Sequence, residues 1–162
     1  MAIPKKVRNY LVENRITYWR KIHPLAFTAE ELAQVEHVPG REIAKTVILK
    51  ADGRFIMAVL PANLAINMAA LKYELACGSL LLASENEFAF QFPGCERGAM
   101  PPFGGLFGMP VFCDRSLASR DEIEFNGGTH TETLRMSFSE FDLLERPVIL
   151  DFAERKKMSR AA

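Results

Sequence analysis

Residues Lys45 to Leu60 constrain the fold more than any other stretch. Lys45–Ala51 and Arg54–Leu60 are apolar runs joined by Asp52-Gly53 alone. Asp-Gly between two such runs is the signature of a two-residue hairpin turn. A chain organised around hairpins and short loops favours a mixed, largely antiparallel sheet over a doubly wound parallel one, because successive parallel strands each need a crossover helix.

The remaining elements follow from local chemistry. Pro4 suits the first turn of a helix on which Val7, Tyr10 and Leu11 recur at helical spacing up to Asn14. Ile16–Ile22 reads as a strand. Thr28-Ala-Glu-Glu31 and Ser84-Glu-Asn-Glu87 are capping boxes, and Ser137-Phe-Ser-Glu140 opens a helix through Leu144. Asn67 caps a helix carrying Met68, Leu71 and Leu75, with Gly78 just past its end. Ser79–Ala83, Met109–Cys113, Glu122–Phe125 and Thr131–Met136 read as strands, the last two joined by a turn at Asn126-Gly127-Gly128.

With 162 residues, 49% of them hydrophobic, the chain suits one domain with a real core. The expected class is α/β of the α+β type: a single domain over residues 1–152, its mixed sheet surrounded by helices. Residues 153–162, with Arg155, Lys156, Lys157 and Arg160, read as a basic, flexible tail.

Composition removes several functions. Twenty Lys plus Arg against twenty Asp plus Glu leave no net charge, which argues against a protein that grips long duplex nucleic acid, DNA included. The most apolar stretch, Phe55–Ala76, is interrupted by Pro61, Asn63, Asn67 and Lys72, too often for a membrane span. Charges near Met1 without a following apolar stretch do not make a signal peptide, and a cytoplasmic protein is expected.

Three cysteines, each 18 residues from the next, fit neither a disulfide framework nor a metal knuckle and read as small buried thiols. His23, His37 and His130 are 14 and 93 residues apart, so no metal is expected. No dinucleotide, P-loop or Gly-x-Ser-x-Gly motif occurs, and no cofactor is expected.

Three places retain chemistry. Lys45 heads an apolar strand, where a lysine either snorkels to water or stands as a fixed cation for a phosphate or an ester. Phe92–Gly108 holds five glycines and three prolines in 17 residues. Its Gly98-Ala99-Met100-Pro101-Pro102-Phe103-Gly104-Gly105 segment is either a rigid surface turn or a loop that aims bare backbone N–H groups at an oxyanion. Gly127-Gly128-Thr129-His130 poses the same choice between hairpin turn and pocket wall.

Taken in order, Ile43-Ala-Lys45-Thr-Val-Ile-Leu-Lys50, Gly98-Ala-Met-Pro-Pro102-Phe-Gly104 and Phe125-Asn-Gly-Gly-Thr-His130 resemble the motifs of the YbaK/prolyl-tRNA-synthetase-associated editing domain family, over roughly residues 16–150. The resemblance implies a mixed α/β domain that hydrolyses amino acids wrongly attached to tRNA, here as a free-standing trans-editing deacylase. By the same resemblance Lys45 and Gly98 match the catalytic positions. Ala99, Met100, Pro101, Pro102, Phe103, Gly104, Gly128, Thr129 and His130 match substrate-binding ones, and His130 is a pocket residue in many free-standing members.

The implied chemistry is physically economical. An aminoacyl ester is already activated and needs neither metal nor covalent intermediate if water and carbonyl are well placed. The implied substrate is a small amino acid ester such as Ala, Ser or Cys, with tRNA-Pro as one carrier. The acceptor end of mischarged tRNA is the expected partner, and a synthetase or elongation factor is a further one, since a neutral chain has little intrinsic grip on tRNA. Two rival readings stand beside this one: a non-catalytic module that binds an aminoacyl-tRNA end or a synthetase, and a Cys-dependent hydrolase.

Overall fold

A computed structural model describes residues 3–157. The central hairpin forms as its turn requires, with φ of 48° at Asp52 and 82° at Gly53, both in the left-handed region that a two-residue turn demands.

In chain order the helices are α1 (Lys5–Glu13), α2 (Ala29–Glu36), α3 (Met68–Leu75), α4 (Glu85–Phe88), α5 (Gly104–Phe107), α6 (Arg115–Ala118) and α7 (Phe138–Glu145). The strands are β1 (Tyr18–Ile22), β2 (Ala44–Ala51), β3 (Arg54–Pro61), β4 (Leu64–Ile66), β5 (Leu80–Leu82), β6 (Val111–Asp114), β7 (Glu122–Thr129), β8 (Glu132–Ser137), β9 (Val148–Leu150) and β10 (Ala153–Arg155).

The hairpin is the middle of a five-stranded sheet ordered β5-β2-β3-β6-β9. Its β2 pairs are antiparallel, whereas β3–β6 and β6–β9 are parallel. Parallel pairing is possible here because α3, β5, α4 and the Gly/Pro-rich loop supply the crossover between β3 and β6. A three-stranded antiparallel sheet, β1-β8-β7, and a β10-β4 pair complete the fold, so the α+β class and the mixed, mainly antiparallel pairing are as expected.

The main core fills the space between the two larger sheets, with Val7 and Leu11 of α1, Met57, Val59, Phe103, Phe125 and Leu134 among its buried side chains. On the opposite face of the five-stranded sheet, Leu49, Ile56, Leu60, Leu71 and Phe152 form a second cluster under α3. Burying each such side chain contributes about 1.5–3 kcal/mol. A smaller cluster, Ala26, Leu32, Ile43 and Ala62, seats α2.

Several expectations need correction. The β7–β8 turn is not at Asn126–Gly128: β7 continues to Thr129, its register shifts between Asn126 and Thr129, and His130-Thr131 make the turn. Gly127 and Gly128 therefore absorb a bulge, where an unpaired residue needs unusual backbone freedom. Thr28 caps α2 through the Glu31 N–H, but the Glu31 carboxylate accepts from the Phe27 N–H and not from Thr28's own. It is Ala76, φ 51°, that ends α3, and Gly78 instead donates its N–H to Asp52. The basic tail begins later than Ala153, because Ala153–Arg155 pair with Leu64–Ile66; residues 158–162 lie outside the described residues.

Two buried carboxylates shape this frame. Glu124 on β7 is fully buried, and its charge is met by Lys21 at 3.4 Å from β1 and Arg135 at 3.8 Å from β8, while Lys21 also reaches Glu36 of α2 at 3.1 Å. Burial, assisted by Glu36, still holds the Glu124 carboxyl above its ordinary value against those cations.

Asp114 ends β6 and draws four hydrogen bonds: the Phe152 and Ala153 N–H groups, each at 2.8 Å, and the N–H and hydroxyl of Ser116. Desolvation would raise its pKa, but these donors together carry it below the ordinary carboxylate value. The bonds fasten β10 to β6.

A depressed carboxyl pKa stabilises the fold above the unfolded value, about 3.9, and that contribution disappears as pH falls through the folded one. Asp114→Ala is expected to cost about 2–3 kcal/mol at pH 7, because it strands buried N–H donors. Urea titrations should show the gap from the unaltered protein narrowing below about pH 4.

Candidate functional site

The five-stranded and three-stranded sheets touch at one backbone bridge, a parallel pairing of Ile43 with Glu124. Beyond it β2 and β7 diverge. Two residues further along each strand stand Lys45 and Asn126, and both line a cavity of about 130 Å³. Ala29, Leu32, Ile43 and Ala44 give that cavity apolar walls, while Glu30, Thr46, Gly98 and Met100 complete its rim and roof.

Lys45 is half-buried and donates from Nζ to the Ala62 carbonyl at 3.4 Å. Desolvation lowers its pKa. Among the described residues no carboxylate pairs with it, in contrast to Lys21, Lys50 and Lys156. A partly desolvated ammonium that lines a cavity and has no carboxylate partner is chemically suited to an anionic or carbonyl oxygen.

The loop above it is held in shape by its own backbone. Ala99 N–H donates to the Glu96 carbonyl at 3.1 Å, and Gly98, the third residue of that turn, has φ of 79°, the position a type II turn reserves for glycine. Among the described residues the Gly98 and Met100 N–H groups make no hydrogen bond to protein. They are the bare donors such a loop can offer to an oxyanion.

His130 explains why the loop stays there. Its Nε2 lies 2.5 Å from the Arg97 carbonyl and its Nδ1 3.1 Å from the Ala26 carbonyl, so the ring ties the loop to the segment leading into α2. Phe27 packs on the ring at a centroid distance of 5.0 Å. The Glu96 N–H bonds the Gly128 carbonyl at 2.8 Å, and the Glu96 carboxylate accepts the His130 N–H at 3.3 Å. Gly128, φ 115°, packs where a Cβ would strike Pro4.

Of the expected site residues, then, Lys45, Gly98 and Met100 meet in the cavity, while Gly128 and His130 stand behind it as supports. Ala99, Pro101, Pro102 and Thr129 are buried and do not line it. Phe103 and Gly104 belong to the core: Phe103 stacks against Tyr10 and Phe125 at 5.6 and 5.3 Å, and a side chain at Gly104 would overlap the Met109 carbonyl.

Asn126 is the site residue that sequence reasoning misses. Its side-chain oxygen is buried without a partner, and its amide makes no hydrogen bond among the described residues. The signal is the motif itself: Phe125-Asn-Gly-Gly reads as a turn, yet its asparagine lies on a strand facing Lys45.

The cysteines stand apart from this cavity. Burial pushes the Cys95 thiol up to about 11 and the Cys113 thiol up to about 12, and no cysteine lines the Lys45 cavity. A larger, shallow hollow of about 920 Å³ lies near the far end of β2, around Asp52–Ile56 and Cys77. Its Asp52 carboxylate is already occupied by the Gly78 and Ser79 N–H groups; Arg54, Cys77 and Gln91 also line it.

Comparison with known proteins bears on the family and the fold. Residues 23–143 match the aminoacyl-tRNA editing domain family. A proline–tRNA ligase from Thermosipho africanus is 33% identical over 81 residues, 50% of this chain and 14% of the ligase. One from Dehalococcoides mccartyi is 33% identical over 100 residues, 62% of this chain and 16% of the ligase. The chain thus corresponds to a small part of those ligases. A crystal structure of a hypothetical protein superposes with a TM-score of 0.82 at 25% identity, covering 93% of this chain and 100% of that one. A structure described as a candidate trans-editing enzyme for prolyl-tRNA synthetase gives 0.78 at 19%, covering 94% and 99%, and shares the fold.

The division between cavity and core is testable by stability. Phe103→Ala is expected to cost about 3–5 kcal/mol in urea unfolding, as for a fully buried aromatic. An unchanged midpoint would show that Phe103 does not anchor the loop in the core.

Proposed function

The chain belongs to the aminoacyl-tRNA editing domain family, and from that premise we propose that it is a cytoplasmic trans-editing deacylase. It hydrolyses the ester of a small amino acid, such as Ala, Ser or Cys, mistakenly attached to tRNA, with tRNA-Pro as one carrier. A synthetase or elongation factor presents the charged tRNA, since the chain carries no net charge to capture it. The observation that carries this reading is the meeting, around one small cavity, of Lys45, which no carboxylate pairs among the described residues, with Gly98 and Met100, whose N–H groups have no protein acceptor there.

In this reading the ester carbonyl enters beneath Gly98. Backbone N–H groups there stabilise the charge that develops as water attacks, and each such donor is typically worth about 10²–10³ in rate. Lys45 holds the terminal adenosine's phosphate or the ester in register, and the substrate's own ribose hydroxyl orients the water. Attack forms the new C–O bond, and collapse expels the ribose oxygen, which takes up a proton as the amino acid leaves.

Apolar walls and Met100 favour small side chains. Size alone discriminates weakly, by about 1–3 kcal/mol per methylene, so the polar Thr46 and Asn126 contribute to the choice. The raised Cys95 and Cys113 pKa values count against a thiolate mechanism.

The deciding experiment uses a panel of tRNAs mischarged with Ala, Ser, Cys, Thr and Pro. Release from one or a few is expected, with Lys45→Ala lowering turnover at least 100-fold while leaving the melting temperature unchanged. Because burial lowers the Lys45 pKa, the cation is lost as pH rises through a value below the ordinary lysine one, about 10.4. After subtraction of spontaneous ester hydrolysis, enzymatic turnover should fall correspondingly early on the alkaline side. Full turnover by folded Lys45→Ala protein would refute the assignment.

A further inference from the structure

The segment around β10 is fastened more firmly than a basic tail would be. The Phe152 and Ala153 N–H groups are held by Asp114, the Asn67 N–H bonds the Phe152 carbonyl at 2.8 Å, and the Asn67 amide reaches the Glu154 carboxylate at 2.9 Å. These bonds deliver three successive exposed cations, Arg155, Lys156 and Lys157, to a fixed place. Lys156 thereby comes beside the Lys45 cavity: its ammonium pairs with the carboxylate of Glu30, a residue that lines the cavity from the first turn of α2.

A neutral chain gains nucleic-acid affinity only where cations are locally concentrated. Glu30 alone would repel a phosphate approaching the cavity. Lys156 both cancels that charge and adds donors beside it, and the exposed Arg155 and Lys157 flank it along the chain. Resting on the editing reading, we propose that Arg155, Lys156 and Lys157 form a phosphate-binding rim that grips the sugar–phosphate backbone of the tRNA acceptor end next to the aminoacylated nucleotide. The segment acts through charge, and Glu30 tunes it.

The test is binding of uncharged tRNA to the full chain across a range of salt, so that it does not depend on turnover. Lys156→Ala is expected to weaken binding roughly tenfold at low salt and to flatten the log–log salt dependence by about 0.7 for each single-strand phosphate that is no longer neutralised. Glu30→Gln is expected to strengthen binding, and the Glu30→Gln/Lys156→Ala double variant to recover part of the affinity.

A purely structural ion pair gives a different pattern. Both single variants would then weaken binding alike with an unchanged salt slope, and that result would overturn the proposal, as would no effect of Lys156→Ala. The two readings fail separately. Lys45-dependent deacylation with Lys156-independent binding would remove the rim alone, whereas Lys156-dependent binding without deacylation of any mischarged tRNA would remove the editing activity alone.

Discussion

Everything at the candidate site depends on the single backbone bridge between Ile43 and Glu124. It joins two sheets whose other contacts are side-chain packing, and it ends two residues short of Lys45 and Asn126. Had β2 and β7 continued as a parallel pair, those two side chains would be sheet neighbours and no cavity would exist. The bridge also carries a cost, since it buries the Glu124 carboxylate completely. Lys21 and Arg135 neutralise that charge from β1 and β8, and Lys21 extends the network to Glu36. One set of ion pairs therefore sets both the sheet junction and the seat of α2, from which Ala29, Glu30 and Leu32 wall the cavity.

Support and chemistry are divided among different residues of the same motifs. Bare N–H groups can act as oxyanion donors only if the loop that bears them does not relax toward its own acceptors. Gly98 supplies the backbone conformation, His130 ties the loop's Arg97 carbonyl to the Ala26 carbonyl ahead of α2, and Gly128 accepts from Glu96. Pro101 and Pro102 restrict the chain beyond, and Phe103 and Gly104 lock it into the core. Most residues of a motif that looks catalytic are thus buried behind the cavity, since preorganisation takes more contacts than catalysis does.

What can be read from the sequence follows the range of the interactions involved. Asp52-Gly53, the Ser84 box and the Asn67 and Ser137 caps are decided within four residues, and each is formed. The three-residue strands β4, β9 and β10 escape such a reading because nothing in Leu64–Ile66 or Ala153–Arg155 marks a strand until the other is alongside. The bulge at Gly127–Gly128 resembles a turn for a related reason: paired glycines permit either, and the choice lies with Leu134, Ile3 and Pro4, which pack against them. At the site, Lys45 and Gly98 are legible as residue types in unusual surroundings, while Asn126 becomes visible only once β7 is seen to pass it across from Lys45.

The same distinction bears on charge. Composition counts twenty cations and twenty anions, and as a sum this says only that the molecule has no long-range pull on a polyanion. Folding decides which charges cancel. Lys21 is committed to Glu36 and Glu124, Lys50 to Glu87, and Arg115 to Asp151, whereas Lys45 is left without a carboxylate among the described residues, and Lys156 is paired with Glu30, a residue that lines the same cavity. Asp114 makes that second placement possible, because the hydrogen bonds that depress its pKa are the ones that hold β10. A buried anion at the end of β6 thus holds the strand that leads to Lys156 and its pairing with Glu30, a relation that net charge cannot express.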